Sequence, residues 1–220
     1  MAKAKAKSGT RKYSNGRVQR GPAPEKVLKK TTYRDALPEL KRDFDCRCAY
    51  CMRRIETDSE MQVDHFDPRR KNDKVQVYAN LFLSDAHCNG AKGDTWPTEE
   101  EEASGCRFLN CCDEQDYDAV IFEDLNTHYL VGKTPAAKYH IEMIDLNDPD
   151  LVEARKYRFD LLARLEAINV SKSTDPKVRE LYSVISEDVK RLIPPIKGLP
   201  GTWTSLPIMS GIRVSKGGSH

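Results

Sequence analysis

The stretch Cys48–Asp94, CAYCMRRIETDSEMQVDHFDPRRKNDKVQVYANLFLSDAHCNGAKGD, organises the reading of the chain. Cys48 and Cys51 are separated by Ala49 and Tyr50. A Cys-x-x-Cys turn puts two thiolates on one side of a tight knuckle, half of a tetrahedral zinc site. The redox alternative needs a thioredoxin-like strand-to-helix setting, and the polar, Arg-rich turn from Met52 to Glu60 argues against it. Met61–Phe66 alternates as a short strand, with Met61, Val63 and His65 on one face and Gln62 and Asp64 on the other. A basic loop follows, with Arg69, Arg70, Lys71 and Lys74. Loops of roughly a dozen residues are long for a hairpin and are more often functional. Asn80–Leu83 reads as the returning strand, and a helix is expected to start near Cys88 or Asn89.

This order of strand, loop, strand and helix gathers residues suited to phosphodiester hydrolysis. That reaction needs a base to activate water, a cation to neutralise the leaving oxygen, and groups that hold the backbone. His65 is the natural base, because an imidazole titrates near neutrality. Asp64 and Asn89 offer hard oxygen ligands suited to Mg²⁺ or Mn²⁺. Strand alternation points Asp64 away from His65, so the two can share a site only if the strand ends there. Lys92 lies three residues after Asn89, on the same helix face, and is expected on a phosphate oxygen. Arg69, Arg70 and Lys71 are expected to add phosphate contacts that position without reading sequence.

Outward from this centre, composition sets the frame. The chain has 220 residues, 39% hydrophobic and 32% charged, enough for one sizeable domain or two small ones. The net charge of +2 conceals an asymmetry. Residues 1–34 carry eleven Lys and Arg against Glu25 alone, a net of +10 that leaves −8 on the remainder. A basic arm on an acidic body points to a polyanion, most simply nucleic acid; a solubilising tail is the plainer reading. No apolar run is long enough to span a membrane, and the N-terminal MAKAKAKSGTRK lacks the apolar core of a secretion signal. Seven cysteines with no export signal imply the reducing cytoplasm, where such clusters more often bind metal than form bridges.

Residues 1–24 read as a disordered basic arm, with almost nothing apolar to bury. Leu37, Leu40 and Phe44 recur at helical spacing with Pro38 in the first turn. Pro97–Glu102 reads as a short helix ended by Gly105, Ala119–Glu123 and His128–Val131 as a hairpin, and Tyr139–Ile144 as a further strand. Asp148-Pro149 and Asp175-Pro176 each open an amphipathic helix, together a helical hairpin joined by residues 171–174.

The order Cys48-x-x-Cys51, Asp64-His65, Asn80-Leu81, Cys88-Asn89-x-x-Lys92 resembles the HNH endonuclease family, with its ββα-metal site. The resemblance implies His65 as general base, Asn80 as the residue whose side chain bonds backbone groups and pins the loop carrying His65, and Asn89 at the third position. Asp64 and Asn89 would hold a single divalent metal, and cleavage would leave a 5′-phosphate and a 3′-hydroxyl. The runs from Trp96-Pro97 to Asn110 and from Gly132 to Ile141 are similar to HNH proteins of bacterial anti-phage defence, retron-associated and Septu-type, some of which act beside an ATPase subunit. One departure matters. Many zinc-bearing members have a second Cys-x-x-Cys ending at the Cys before Asn, and here its first position is Asp85. Cys48, Cys51 and Cys88 are therefore expected zinc ligands, with Asp85, Cys106 and Cys112 as candidates for the fourth. Cys112 is favoured, and His87 is disfavoured because it adjoins a ligand.

The expected protein is α+β: a ββα-metal core with a structural zinc knuckle, an extra β-hairpin and a C-terminal helical hairpin. Its expected parts are the arm 1–24, a nuclease domain 25–145, the helical hairpin 146–196 and a tail 197–220. The expected activity is metal-dependent DNA cleavage, with RNA as a possible substrate and Zn²⁺ as structural ion. The rival is a zinc-stabilised nucleic-acid-binding or scaffold protein without catalysis.

Overall fold

The computed structural model describes residues 18–113, 117–167 and 174–191. Leu37–Phe44 forms helix α1, with Pro38 in its first turn and Asp45 in the left-handed region at its end. Gln62–His65 is strand β1 and Leu81–Ser84 is β2. They pair antiparallel with Gln62 opposite Ser84 and His65 opposite Leu81. Every side chain of β2 is buried, as a continuous apolar run predicts. Phe82 meets the rings of Phe44, Tyr50 and Phe66 at 5.6, 6.2 and 4.8 Å. Burial of one such side chain stabilises by about 1.5–3 kcal/mol.

Helix α2, Ala86–Lys92, follows β2 directly and packs on β1. Asp85 is its N-cap, and Asp85 Oδ1 accepts from the Cys88 N–H at 2.8 Å. Glu99–Ala103 is α3, opened by a Thr98–Glu101 capping box and followed by Gly105 at φ +86°. Tyr117–Val120 forms α4. The expected hairpin is present as β3, Ile121–Glu123, against β4, Leu130–Gly132.

Tyr139–Ile144, expected as a strand, instead forms the end of helix α5, Pro135–Met143, and its C-cap, Ile144. Thr134 caps it, its hydroxyl accepting from the Ala137 N–H at 3.1 Å, and Pro135 is preorganised for the first turn. The short apolar run alone does not separate strand from buried helix; the Thr-Pro start does. The C-terminal elements are α6, Pro149–Ala167, and α7, Pro176–Arg191, which pack against each other. Most of the joining segment and the tail 197–220 lie outside the described residues.

Two buried polar clamps fasten the second hairpin to α6. Glu123 on β3 holds both His128 Nδ1, at 2.9 Å, and the Arg158 guanidinium from α6. Arg155 donates to the carbonyls of His128 and Leu146 at 2.6 and 3.0 Å. At the other end, the arm stops earlier than residue 24. Val18 is buried and its N–H donates to Cys111 O at 2.9 Å. Arg20 donates to the carbonyls of Tyr78 and Leu81 at 3.0 and 2.7 Å, with its guanidinium over the Phe44, Tyr78 and Phe82 rings. A residue counted toward a polyanion-binding arm is thus an internal clamp; residues 1–17 lie outside the described residues. No helix among the described residues is long and apolar enough to cross a membrane.

Gly132 marks the closest approach of β4 to α5. A Cβ there would fall 2.5 Å from Lys138 N and 2.7 Å from Ala137 C, both backbone atoms that cannot rotate away. Gly132→Ala is expected to cost about 1–3 kcal/mol through overpacking, measured by denaturant or thermal unfolding.

Candidate active site and metal centre

The knuckle is built by backbone bonds before its thiols act. Cys48 N donates to Arg53 O and Met52 N to Cys48 O, at 2.9 and 3.0 Å, with Met52 at φ +62°. Ala49 N donates to Leu83 O at 2.8 Å, tying the knuckle to β2. The turn therefore faces the β2–α2 junction, where Asp85 and Cys88 wait. Ligand atoms of Cys48, Cys51, Asp85 and Cys88 all lie within 4.8 Å of one another. Three thiols and a carboxylate form a set that could hold a zinc ion.

The fourth member is Asp85, not Cys112. Asp85 divides its carboxylate: Oδ1 caps α2, and Oδ2 accepts from Cys51 Sγ at 3.1 Å. Cys112 sits instead beside the N-terminal clamp, where its sulfur accepts from Arg20 Nε at 3.4 Å. The Cys111 thiol and the Arg20 charge together hold the Cys112 thiol down to about 7, against its burial. The reason for the exchange is local. Asp85 enters the knuckle because the helix it caps begins there, whereas Cys112 follows α3 and an irregular segment that leads elsewhere.

The three thiols shift one another. Burial would raise the Cys48 thiol, but hydrogen bonds from Cys51 and Cys88 outweigh this and hold it well below the ordinary range. Cys51 and Cys88, each bonded to Cys48, are pushed up in turn. A divalent cation on these thiols would favour the ionised form of all three.

The second centre lies at the end of β1, in a cleft of about 580 Å³ lined by Tyr33, Arg34, Asp64, His65, Lys71 and Asn89 among others. Asp64 and His65 both line this cleft despite the alternation, as do Gln62 and Val63 earlier on β1. Asp64 is 6% exposed. It accepts from the Tyr50 hydroxyl, and Lys92 Nζ lies 3.1 Å from its Oδ2 and 3.3 Å from Oδ1. His65, 5% exposed, has Nε2 at 2.7 Å from Gln76 Oε1, and the Tyr33 ring packs on it at 4.7 Å. Asn89 Nδ2 donates to Gln62 Oε1 at 2.5 Å, which leaves Oδ1 as the amide's ligand atom. Gln62 and Asp64 share one face of β1, so Asn89 meets the strand on the side that carries Asp64.

This donor set fits a hard divalent cation. A carboxylate has about four lone-pair sites, and Tyr50 and Lys92 leave capacity on Asp64. With Asn89 Oδ1 on the same cleft, two oxygen ligands are available, a number suited to an ion that keeps several waters.

Lys92 does not sit where the phosphate assignment needs it. It has no exposed surface. Its ammonium is held by Asp64, by His65 O at 3.0 Å and by Gly93 O at 3.5 Å. Close packing of α2 on β1 turns the position three residues after Asn89 into the strand rather than into the cleft. Arg69, Arg70 and Lys71 also have partners. Arg69 pairs with Asp67 at 2.9 Å and stacks over Trp96, Arg70 pairs with Asp73 at 3.3 Å, and Lys71 with Asp94 at 2.8 Å. All three side chains remain about half exposed.

Asn80 is 9% exposed and lies in a 3-10 turn, Tyr78–Asn80, just before β2. Its Oδ1 accepts from Asp67 N at 2.8 Å and its Nδ2 donates to Asp67 O at 3.1 Å. The backbone two residues beyond His65 is thereby held to the returning strand. His128 and His140 are buried with polar partners and lie off this cleft. Three residues at the site carried no signal in the sequence: Tyr50, Gln62 and Gln76. Tyr50 is the second spacer of the knuckle, and Gln62 could have been suspected as the same-face neighbour of Asp64.

Residues 48–95 match the family model described as HNH endonuclease. The match covers the knuckle, both strands of the first hairpin and α2. No curated protein and no solved structure matches the chain.

Protein purified without chelator is expected to carry about one equivalent of bound transition metal. Cys88→Ser is expected to lose it and to unfold at lower temperature, while Cys112→Ser retains it; metal analysis with thermal melts reads both. Lys92→Met is expected to destabilise by about 3–5 kcal/mol, because it strands a buried carboxylate. Adding Asp64→Asn should recover part of that loss in denaturant titrations.

Proposed function

We propose that the protein is a metal-dependent endonuclease that hydrolyses DNA phosphodiester bonds, with His65 as general base. The observation that carries this reading is the meeting of Asp64, His65 and Asn89 on one cleft, inside the segment that matches the HNH endonuclease model.

His65 takes a proton from the attacking water. Asp64 and Asn89 would hold Mg²⁺ or Mn²⁺, which supplies positive charge to the phosphate and the leaving oxygen. Lys92 and Tyr50 hold the Asp64 carboxylate in one orientation, and Gln62 does the same for the Asn89 amide. Asn80 fixes the chain beyond His65, so the base does not drift from the cleft. Lys71 lines the cleft, and Arg69 and Arg70 precede it in the same loop. Their exposed ion pairs are worth little, of order 0–1 kcal/mol, so a phosphate backbone can displace the carboxylates. Zn²⁺ on Cys48, Cys51, Asp85 and Cys88 would hold the knuckle against α2. The resemblance of the flanking runs to defence-system HNH proteins extends the reading to a bacterial defence effector working beside an ATPase subunit.

A second reading, a nucleic-acid-binding module without catalysis, draws on Lys92. A buried ammonium against Asp64 lowers that carboxylate's attraction for a second cation. The two part in a plasmid assay with Mg²⁺ or Mn²⁺. Nicking by wild type is expected, reduced about 100- to 10,000-fold in His65→Ala and abolished by chelation of the added ion. Full cleavage by His65→Ala would overturn the base assignment, and binding without cleavage, alone and with an ATPase partner, would favour the second reading.

A further inference from the structure

Gln76 lies in the loop between β1 and β2, 6% exposed. Its backbone N–H donates to Leu28 O at 2.8 Å, beside the antiparallel bridge between Lys29 and Val75. Leu28 is itself buried. The chain ahead of α1 thus fixes where the Gln76 side chain starts.

The end of that side chain is fixed as well. Gln76 Nε2 lies 2.6 Å from Asp73 O and 3.4 Å from Lys71 O. Both are carbonyl oxygens, which only accept, so the amide nitrogen must face them; the flipped amide would set oxygen against oxygen. Gln76 Oε1 is then the atom 2.7 Å from His65 Nε2. An amide oxygen also only accepts, so His65 Nε2 must carry the hydrogen. In a neutral imidazole this leaves the lone pair on Nδ1. Tyr33, packed on the ring at 4.7 Å, restricts its rotation.

We propose that Gln76 is the positioning residue of His65: its side-chain oxygen selects the Nε2–H tautomer and so presents Nδ1 as the proton-accepting atom. The role of Nδ1 in the reaction rests on His65 being the base; the tautomer does not. After Nδ1 takes the proton of the attacking water, both ring nitrogens are donors, and Nε2–H still meets the same acceptor. The hydrogen bond therefore serves both protonation states, and no group near the ring needs to rearrange. The same glutamine closes the 71–76 loop on two of its own carbonyls, so loop closure and base orientation form one unit.

The test compares wild type, Gln76→Glu, which keeps an acceptor for His65 but loses the donor to Asp73 O and Lys71 O, and Gln76→Met, which keeps bulk without either. Long-range ¹⁵N–¹H correlation spectra, recorded above the pH at which the ring shifts stop changing, read the tautomer directly. His65→Ala identifies the His65 peaks. Wild type and Gln76→Glu are expected to show the Nε2–H pattern, and Gln76→Met a shift toward Nδ1–H. On a nucleic-acid substrate, kcat of Gln76→Met is expected to fall about 10- to 100-fold, with KM unchanged. A wild-type Nδ1–H pattern, or an unchanged tautomer in Gln76→Met, overturns the proposal. If Gln76→Met does not fold, the wild-type pattern decides. If no variant cleaves, the spectra still decide the role of Gln76, and what fails is the assignment of His65 as base.

Discussion

One buried carboxylate joins the three parts of the central unit. Asp64 stands on β1, accepts from Tyr50 inside the knuckle, and pairs with Lys92 on α2. Charges taken out of water cost several kcal/mol each unless geometry and further hydrogen bonds compensate. Lys92 meets that demand with Asp64 and two carbonyls. Shifting either strand or α2 would strand a charge in the core. The pair thus specifies the register of helix on strand more sharply than apolar contact would, and it does so at the residue proposed to hold the catalytic ion.

The cysteine cluster performs the matching task on the opposite flank. Cys48 and Cys51 precede β1, whereas Asp85 and Cys88 follow β2, so a shared ion would close the hairpin into a loop. Asp85 links this to the helix, because one of its oxygens caps α2 while the other faces the thiols. The orientation of α2 sets where Asn89 and Lys92 go. Shape and chemistry are therefore coupled through a single helix of seven residues.

The remainder of the chain braces this unit. Arg20 reaches across Phe44, Tyr78 and Phe82 to the carbonyls of Tyr78 and Leu81, where β2 begins. Leu28 positions Gln76, and through it His65. Farther out, Glu123, Arg155 and Arg158 fasten the second hairpin to α6 with buried charge, beside the apolar contacts of Ile121, Leu130 and Leu151 with the core. A chain with 39% hydrophobic residues relies on such clamps where a larger core is not available.

Much of this order was legible in the residues alone. The knuckle, the two strands, a helix after β2 and the later helices follow from Cys spacing, apolar runs and capping residues, all of which act within a few positions; α2 begins at Ala86, ahead of the start expected near Cys88 or Asn89, because Asp85 caps it. Pro135 after Thr134 was a legible helix start that the apolar run at Tyr139–Ile144 obscured. Tertiary structure decided what depends on which distant groups meet. Asp85 rather than Cys112 completes the cluster, because closure of a hairpin brings 48–51 to 85–88 while Arg20 claims Cys112. Lys92 serves Asp64 rather than a phosphate, because the helix packs too closely on the strand for its side chain to leave. Arg20 clamps the core although its neighbours in sequence read as a solvated arm, and Gln76 reaches His65 through a loop with no pattern to reveal it. Local sequence sets the elements and their ends; burial and long-range pairing determine which polar groups face each other, and that assigns the roles.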